Sequence, residues 1–508
     1  MNSLVALTTL LCFNIEPFAA RFILENYSQY KEQLIQGELN LSVGGRVNLT
    51  DDEKKANEVL MHWKNKEVEA AFNYPQYNNF SKHYFTYKDD IWKSKVYQII
   101  KKMPKGAALH VHSSMMLDPD TLMSLTYEDH LYICYGPGYV LYKFFAIAPS
   151  TITTSCSSEW SLLSNLRSAA DNVTLFDAEL RKYFTLVTDS VEEQNADINY
   201  TWDKFNKVHK TIKGLVGYRP VREKYIYAAL KKFYEDNIMY IEIRSGLHNL
   251  YELDGLIYDR MYLAETYKRV TQKFIEEHPD FIGIKLILTS YRKKNRIFIE
   301  SAMEVARRLK TEVPDMYAGY DLVGQEDLGN PLSYYLPVLK ENEKELNFYL
   351  HGGETNFYGT SSDENLFDVI FLGTKRIGHG YALAKHPHLM KMVMQKDIAV
   401  EVNVVSNVVL SLVRDVRNHP LATFLAFGLP VVLSSDDPGV WEADPLSHDF
   451  YIAFVGVASK HADLRLLKQL ALNSLKYSAL NDADKERAFG IFNNKWNIFI
   501  KELMEFQK

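Results

Sequence analysis

The pattern of hydrophobic and polar positions along the chain changes at Gly106. Before Gly106, apolar residues recur at helical spacing, as in Phe22–Leu24 and Leu34–Ile35. After it, short apolar runs rich in β-branched residues alternate with longer stretches of helical spacing. Eight of the short runs are predicted strands, namely Ala107–His112, Met239–Arg244, Ile282–Thr289, Ala318–Val323, Asn347–Leu350, Arg376–Gly378, Ala399–Val405 and Val431–Leu433.

Helices are predicted between many of these strands. Examples are Glu223–Asn237, Tyr262–Glu277, Arg296–Lys310 and Leu389–Gln395. Alternating strands and helices predict a parallel sheet, because neighbouring parallel strands must be joined by a crossover. Eight such units predict an α/β fold of the (β/α)8 or TIM barrel type. An open doubly wound sheet is the alternative.

Three segments lie outside the repeating units. Residues 21–103 are predicted to form an N-terminal helical region, with Thr50 as the N-cap of a long helix. The first two strands are too far apart for a simple crossover, so residues about 124–203 are predicted to be a subdomain inserted into the barrel domain 104–508. Leu464–Ser478 and Asp482–Phe506 are predicted to be closing helices.

The composition is that of an ordinary globular protein. The 508 residues are 47% hydrophobic and 24% charged, which excludes disordered and collagen-like classes. A net charge of −6 argues against a dedicated nucleic-acid-binding protein, since such proteins usually carry a basic face. No apolar run reaches the roughly 18 residues of a transmembrane helix, so no membrane span is predicted.

The N-terminus has the pattern of a secretory signal peptide. Leu4–Phe13 is an apolar run, and Pro17–Ala20 ends in the small residues of a cleavage site. We therefore expect residues 1–20 to be removed and the protein to be secreted. The segment before the apolar run lacks Lys and Arg, and an N-terminal helix packed on the core is the alternative.

Cysteine and asparagine positions agree with an extracellular protein. Cys134 and Cys156 remain after signal cleavage and are predicted to form a disulfide, the alternative being two buried thiols. The chain also contains six Asn-x-Ser/Thr glycosylation sequons, all before residue 200. Their asparagines are Asn26, Asn40, Asn48, Asn79, Asn172 and Asn199. The first 200 residues are therefore predicted to carry the glycans.

Polar residues with catalytic potential follow the predicted strands. In a TIM barrel the carboxyl ends of the strands form the active site. The first strand ends in His110-Val111-His112, and the two imidazoles share one face of the strand. The fifth ends in His351-Gly352-Gly353-Glu354, which adds a third imidazole and a carboxyl group.

The sixth and eighth strands contribute further groups. His379 lies between two glycines, and Asp436 and Asp437 follow the eighth strand. Each group alone has a structural interpretation, as a buried core histidine, a loop acid or an N-cap. Together at the strand ends, three histidines and one aspartate suit a Zn²⁺ ion with an open position for water. The fourth histidine and the glutamate remain for proton transfer.

These residues resemble the adenosine deaminase branch of the metal-dependent amidohydrolases. Within that branch the chain looks most like the secreted adenosine-deaminase-related growth factors, which are extracellular adenosine deaminases. The matching motifs are Lys105-Gly106, His110-Val111-His112, Asp321-Leu322-Val323-Gly324, His351-Gly352-Gly353-Glu354, Arg376-Ile377-Gly378-His379-Gly380 and Ser434-Ser435-Asp436-Asp437-Pro438.

The resemblance implies a role for each residue near the metal. One Zn²⁺ per subunit would be bound by His110, His112, His351 and Asp436. The metal would activate the water that attacks C6 of adenosine. His379, helped by Asp436, would orient that water and accept its proton. Glu354 would protonate purine N1 and therefore needs a raised pKa.

The resemblance also implies contacts with the nucleoside. Gly324 would contact purine N3, Asp437 would hydrogen-bond N7, and Trp202 in the insertion would line the pocket. Two positions depart from the family pattern. Ser113 stands near the place where relatives usually carry an aspartate that binds the ribose 5′-hydroxyl, and Tyr291 stands where some carry a pocket histidine.

The function implied is hydrolysis of adenosine, and of 2′-deoxyadenosine, to inosine and ammonia, which lowers extracellular adenosine and influences cell growth. The resemblance further implies a homodimer formed through residues 21–103, and a cell-surface receptor or glycan bound by the insertion. One alternative is a secreted growth factor or binding protein with weak or no deaminase activity. Another is a different purine substrate. Nucleotides are disfavoured, because no basic cluster is evident at a strand end.

Overall fold

Eight parallel strands form the centre of the molecule. The computed structural model describes residues 17–147, 156 and 158–506. In chain order the barrel strands are β1 Gly106–His112, β2 Ile238–Ser245, β3 Gly283–Tyr291, β4 Tyr317–Val323, β5 His351–Gly352, β6 Arg376–His379, β7 Ala399–Val402 and β8 Val431–Leu433. Strands β1–β4 form one parallel ladder and β5–β8 a second.

Two single parallel bridges close these ladders into a barrel. Val111 of β1 pairs with Asp436 beyond β8, where the amide of Asp436 donates to the carbonyl of His110 over 2.9 Å. On the opposite side Tyr320 of β4 pairs with Phe348 just before β5. The closed order β1 to β8 confirms the (β/α)8 prediction over the open doubly wound sheet.

Two predicted strands differ from the structure by more than two residues at one end or both. The predicted strand Asn347–Leu350 contributes one bridge at Phe348, and the regular ladder of β5 begins at His351. The predicted strand Ala399–Val405 ends at Val402, and a short helix Val404–Val409 follows. A buried β-branched run fits either element by pattern alone. Here the helix forms where the Val405 amide donates to the carboxylate of Asp449 over 3.0 Å.

Helices surround the barrel, and most lie where the sequence predicts them. After the second strand they include Arg260–Glu277, Arg296–Glu312, Leu332–Asn342, Ser361–Phe371, Pro387–Gln395, Leu421–Ala426 and Ser447–Tyr451. A π-helical turn, Ile452–Val457, follows the last of these. The predicted closing helices are Leu464–Lys476 and Asp482–Met504.

The N-terminal region is helical and packs against the end of the chain. Its helices are Pro17–Leu41, Asp51–Asn73, Tyr84–Ile91 and Lys95–Lys102. Thr50 is confirmed as an N-cap, because its hydroxyl accepts from the Glu53 amide while the Glu53 carboxylate accepts from the Thr50 amide. The same Glu53 accepts from the indole of Trp496 over 2.7 Å. One side chain therefore caps the helix and fixes it to the closing helix.

The connection from β1 to β2 contains a small folded unit. Leu131–Gly136 and Tyr139–Phe144 form an antiparallel hairpin, and Ser161–Leu162 adds a short third strand. Its helices are Leu163–Ala169, Val173–Arg181, Val191–Gln194 and Ile198–Leu215, and Arg219–Glu235 leads into β2. The hydroxyl of Thr211 donates to the carbonyl of Val140, which fixes the long helix to the hairpin.

Cys134 and Cys156 are joined by a disulfide. This confirms the predicted pair and excludes two free thiols. The bridge ties the segment before the short third strand to the hairpin.

The signal peptide prediction concerns residues 1–20, of which 1–16 lie outside the described residues. Among the residues the structure describes, no helix is both long and apolar enough to cross a membrane. All six sequon asparagines are described. Asn79 is half-buried, and the other five are exposed.

Candidate active site

A cavity of about 510 Å³ opens at the carboxyl ends of the barrel strands. The predicted site residues converge on it from the ends of five strands and from the insertion. Those lining the cavity are His112, Ser113, Trp202, Gly324, His351, Glu354, His379, Asp436 and Asp437. His110 lies beneath them, fully buried.

The predicted metal ligands come together in space. One ligand atom each of His110, His112 and His351 lies within 4.8 Å of the others. Asp436 forms a second such group with His110 and His379. The Asp436 carboxylate is 3.0 Å from Nε2 of His112 and 3.6 Å from Nε2 of His110. The four predicted ligands therefore surround one point, although they come from β1, β5 and the loop after β8.

Two carboxylates beneath the cluster orient the histidines. Nδ1 of His110 lies 2.7 Å from Glu401 on β7, and Nδ1 of His351 lies 2.7 Å from Asp321 on β4. Arg244 donates to both acids, over 2.7 Å and 2.8 Å. Each imidazole is thereby turned so that Nε2 faces the other ligands. This is the arrangement of metal-binding histidines, whose second nitrogen is held by a carboxylate or carbonyl.

The chemistry of the donor set fits a divalent cation. Nε2 of His110 is buried and lacks a hydrogen-bond partner among the described residues. Burial lowers the pKa of His110 and His112 below the ordinary value, so both rings are neutral at neutral pH. Burial raises the pKa of Asp436, but the hydrogen bond with His112 outweighs this and helps to hold that pKa below the ordinary value. Neutral imidazoles and an ionised carboxylate are the ligand forms that Zn²⁺ binds.

The pKa of Glu354 is shifted in the opposite direction to that of Asp436. Burial, the charge of Asp436 and the charge of Glu326 raise its pKa well above the ordinary value. One of its oxygens lies 3.4 Å from Nδ1 of His379. The raised pKa favours the protonated carboxyl group, which can donate a proton, whereas the lowered pKa of Asp436 favours a carboxylate, which cannot.

His379 and Asp436 stand on strained backbone. Both have φ of 60°, in the left-handed region that residues with side chains rarely adopt. Asp436 is held there by backbone hydrogen bonds with His110 and His112 of β1, and by the Ser406 hydroxyl, which donates to its carboxylate over 2.8 Å. The side-chain amide of Asn407 lies 3.4 Å from Nδ1 of His379. With this backbone conformation both side chains line the cavity.

The predicted substrate residues line the same cavity. Gly324 has φ of +99°, and a Cβ there would lie 2.2 Å from the Tyr291 ring. Asp437 is fully buried, and burial together with Asp436 raises its pKa well above the ordinary value. Trp202 projects from helix Ile198–Leu215 of the insertion and packs on Phe205. The insertion therefore forms part of the cavity wall.

Several residues at the site were not predicted from the sequence. Glu401, Arg244 and Ser406 support the ligands but carry no motif of their own. A charged residue inside an apolar strand was the available signal for Glu401 and Arg244. The cavity is also lined by Lys213 and Arg260. These cations lie on two helices and not at a strand end, so the sequence gives no local pattern that joins them.

Family models match the N-terminal region of the chain and most of the barrel domain. The model described as "Adenosine deaminase" matches residues 173–490, and the model described as "Adenosine/AMP deaminase N-terminal" matches residues 7–100. The chain belongs to the adenosine deaminase family. The match covers the barrel strands that supply Glu354, His379 and Asp436.

Curated relatives extend the likeness over nearly the whole chain. "Adenosine deaminase 2" of Pongo abelii is 42% identical over 93% of this chain and 93% of its own length. "Adenosine deaminase" of Phlebotomus duboscqi is 41% identical, with 94% and 92% covered. A solved amidohydrolase from Burkholderia ambifaria, described with bound Zn, shares the fold with a TM-score of 0.56 and 15% identity, with 80% and 94% covered. The family match and the curated relatives show that the chain is an adenosine deaminase and therefore a hydrolase.

Proposed function

We propose that this adenosine deaminase family member is a secreted zinc enzyme that hydrolyses adenosine, and 2′-deoxyadenosine, to inosine and ammonia. The observation that carries the proposal is the pairing of a neutral-histidine metal cluster with a protonated Glu354 in one cavity. Adenosine deamination needs both: a water activated for attack at C6, and an acid that protonates the purine.

His110, His112, His351 and Asp436 would hold the Zn²⁺. Bound zinc supplies Lewis-acid chemistry that activates a water molecule at neutral pH. Glu401 and Asp321 keep the two buried rings in the tautomer that leaves Nε2 free for ligation. The protein's part is to fix these donors before the substrate arrives.

The pKa shifts of Glu354 and His379 indicate which group would donate a proton and which would accept one. Glu354 would donate its proton to purine N1, which makes C6 electrophilic. His379, whose pKa burial lowers to about 3, is a neutral base that can accept the proton of the attacking water. The proton would then pass to the departing amino group, which leaves as ammonia. Asp436 lies 3.9 Å from Nε2 of His379 and would stabilise the imidazolium.

The purine would be held by groups of complementary type. Asp437 carries a raised pKa, so its protonated carboxyl can donate to N7, which only accepts. The Gly324 backbone amide would donate to N3, and the absence of a side chain there leaves room between the purine and Tyr291. Trp202 would cover the nucleoside, and Ser113 would hydrogen-bond the ribose.

Secretion is supported by three independent features of the chain. These are the N-terminal apolar run Leu4–Phe13, the disulfide Cys134–Cys156 and the exposed sequon asparagines. We further propose the division into residues 1–20, 21–103 and 104–508, with dimerisation through 21–103 and receptor or glycan binding by the insertion at about 124–203. N-terminal sequencing of the protein released by cultured cells would test the cleavage after Ala20, and glycosidase treatment would test the glycans.

The enzyme proposal is tested by adding adenosine to the zinc-loaded protein and following inosine by ultraviolet absorbance. We expect turnover by the wild type and a loss of at least about 100-fold in kcat for Glu354→Gln. Glu364→Gln, an exposed glutamate on helix Ser361–Phe371, is the matched control and should retain activity. Folded, zinc-loaded wild type without turnover would reject the proposal and favour the binding-protein alternative.

A further inference from the structure

Helix Val404–Val409 carries two side chains to the active site. The Ser406 hydroxyl donates to the Asp436 carboxylate over 2.8 Å, and the Asn407 amide lies 3.4 Å from Nδ1 of His379. All six residues of the helix are buried. The positions of one proposed zinc ligand and of the proposed base therefore depend on where this helix lies.

The helix does not define its own start. It has six residues, and helices this short are marginal without support from the rest of the fold. Asn403 at the N-cap position makes no side-chain cap hydrogen bond, and its amide nitrogen and oxygen have no partner among the described residues. The first amides of a helix lack acceptors within the helix. An acceptor from another segment must therefore hold them.

Asp449 supplies that acceptor. It lies on helix Ser447–Tyr451, is fully buried, and accepts through Oδ1 from the Val405 amide over 3.0 Å. This is the role that an N-cap side chain usually has for its own helix. Burial raises the pKa of Asp449 to about 8. A protonated carboxyl group still has an oxygen that accepts, so the contact persists in the neutral form.

The segments after β7 and β8 hold each other. Asp436 and Asp449 both follow β8, whereas Ser406 follows β7. Ser406 holds the Asp436 side chain, and Asp449 holds the helix on which Ser406 lies. Asp449 does not line the cavity, so it can act on the reaction only through other residues.

Asn407 has a second support. Its Oδ1 lies 2.9 Å from Nε2 of the buried His419, whose Nδ1 accepts from the Leu421 amide over 2.9 Å. Among the described residues, the contact with Asp436 is the one side-chain hydrogen bond of Ser406. Loss of the Asp449 acceptor should therefore disturb Asp436 more than the residues that Asn407 contacts.

We propose that Asp449 is a positioning residue for the deamination reaction, which it supports by holding the helix that keeps Ser406 on Asp436. This inference rests on the proposed deaminase function. Asp436 is both a proposed zinc ligand and the group that would stabilise the imidazolium of His379. A shift of the helix would therefore weaken zinc binding and slow the chemical step, while the residues proposed to bind the nucleoside stay in place.

The test compares Asp449→Asn and Asp449→Leu with the wild type, each loaded with zinc. Asparagine keeps the accepting oxygen and should retain kcat for adenosine. Leucine removes that oxygen and should lower kcat about tenfold or more with KM little changed, since a small misplacement of a catalytic group is costly. Competition with a chromogenic chelator should show weaker zinc binding in Asp449→Leu and wild-type binding in Asp449→Asn.

Asn481→Leu is the matched control. Asn481 caps the closing helix Asp482–Met504, where its side chain accepts from the Asp484 amide. Its replacement should lower thermal stability through the lost cap but leave kcat and zinc affinity unchanged. The control therefore separates loss of stability from loss of positioning.

A double-mutant cycle with Ser406→Ala tests whether Asp449 acts through Ser406. If it does, the combined Asp449→Leu/Ser406→Ala variant should lose about as much kcat as the worse single variant. Losses that multiply would overturn the inference, and so would wild-type kcat and zinc affinity in folded Asp449→Leu. If Asp449→Leu does not fold, Asp449→Ala takes its place, and a folded Asp449→Asn that loses kcat would equally overturn the inference.

Failure of the proposed function can be distinguished from failure of this inference. If the zinc-loaded wild type does not turn over adenosine, the deaminase proposal fails, and zinc affinity decides about Asp449. Weaker zinc binding in Asp449→Leu than in Asp449→Asn would support the positioning of Asp436. Equal binding in the two variants would reject it.

Discussion

The ring of His110 is held by Glu401 from a strand on the other ladder of the barrel. Nδ1 of His110 and the Glu401 carboxylate are 2.7 Å apart, and both side chains are fully buried. The contact fixes which imidazole nitrogen faces the cavity. Glu401 would thereby orient the first of the proposed zinc ligands without contacting zinc or substrate itself.

We expect Glu401→Gln to weaken zinc binding about 10- to 100-fold, because an amide holds the imidazole less strongly than a carboxylate does. Competition with a chromogenic chelator measures the affinity. Glu401 also pairs with Arg244 and Arg376, so thermal melting of the zinc-free protein must accompany the measurement. Unchanged zinc affinity in a folded variant would contradict the positioning role.

The pH dependence of turnover should follow Glu354. Burial and the neighbouring carboxylates raise its pKa well above the ordinary value, so the donor form persists at neutral pH. The protonated form is present below that raised pKa and is lost as the pH rises through it. We therefore expect kcat/KM for adenosine to decline on the alkaline side with a slope of one proton. A profile that is flat up to the pH at which the protein unfolds would contradict this assignment.

Much of the barrel can be predicted from sequence, because most of its strands are short and apolar and many are followed by an amphipathic helix. The candidate catalytic groups can be located for the same reason, since His112 ends β1, and Glu354 and Asp436 lie within three residues of the ends of β5 and β8. The end of the strand near residue 404 cannot be predicted, because a buried run of valines has no periodicity that distinguishes a strand from a helix. The helix there is accompanied by a hydrogen bond from the Val405 amide to Asp449, a residue distant in the sequence, so no local pattern indicates it.

The cations that line the cavity could not be predicted from the sequence for a related reason. Lys213 and Arg260, which line the cavity, belong to different helices. No local spacing joins them, so a search for a basic cluster at one strand end could not detect the set. Only the closure of the barrel and the return of the insertion over its mouth bring them together.

A side chain at position 324 should damage substrate binding. In Gly324→Ala the new Cβ would lie 2.2 Å from the Tyr291 ring, so either the ring or the loop must move. We expect KM for adenosine to rise at least about tenfold, as a shift of the loop removes the contact to the purine. Gly359→Ala is the matched control. It also has positive φ but has nothing within 4 Å, so it tests backbone strain without a clash. Equal KM values in the two variants would contradict the steric argument.

Removal of the disulfide should destabilise the insertion and, through it, the cavity. Cys134 and Cys156 are 22 residues apart, and a crosslink over such a loop lowers the entropy of the unfolded chain by the equivalent of about 3 kcal/mol. We expect Cys134→Ser/Cys156→Ser to lower the free energy of unfolding by about that amount in urea titrations. KM should rise more than kcat falls, because the insertion carries Trp202 while the metal ligands and Glu354 are held by the barrel. A double variant with wild-type stability and KM would show that the hairpin and its helix hold the cavity wall without the crosslink.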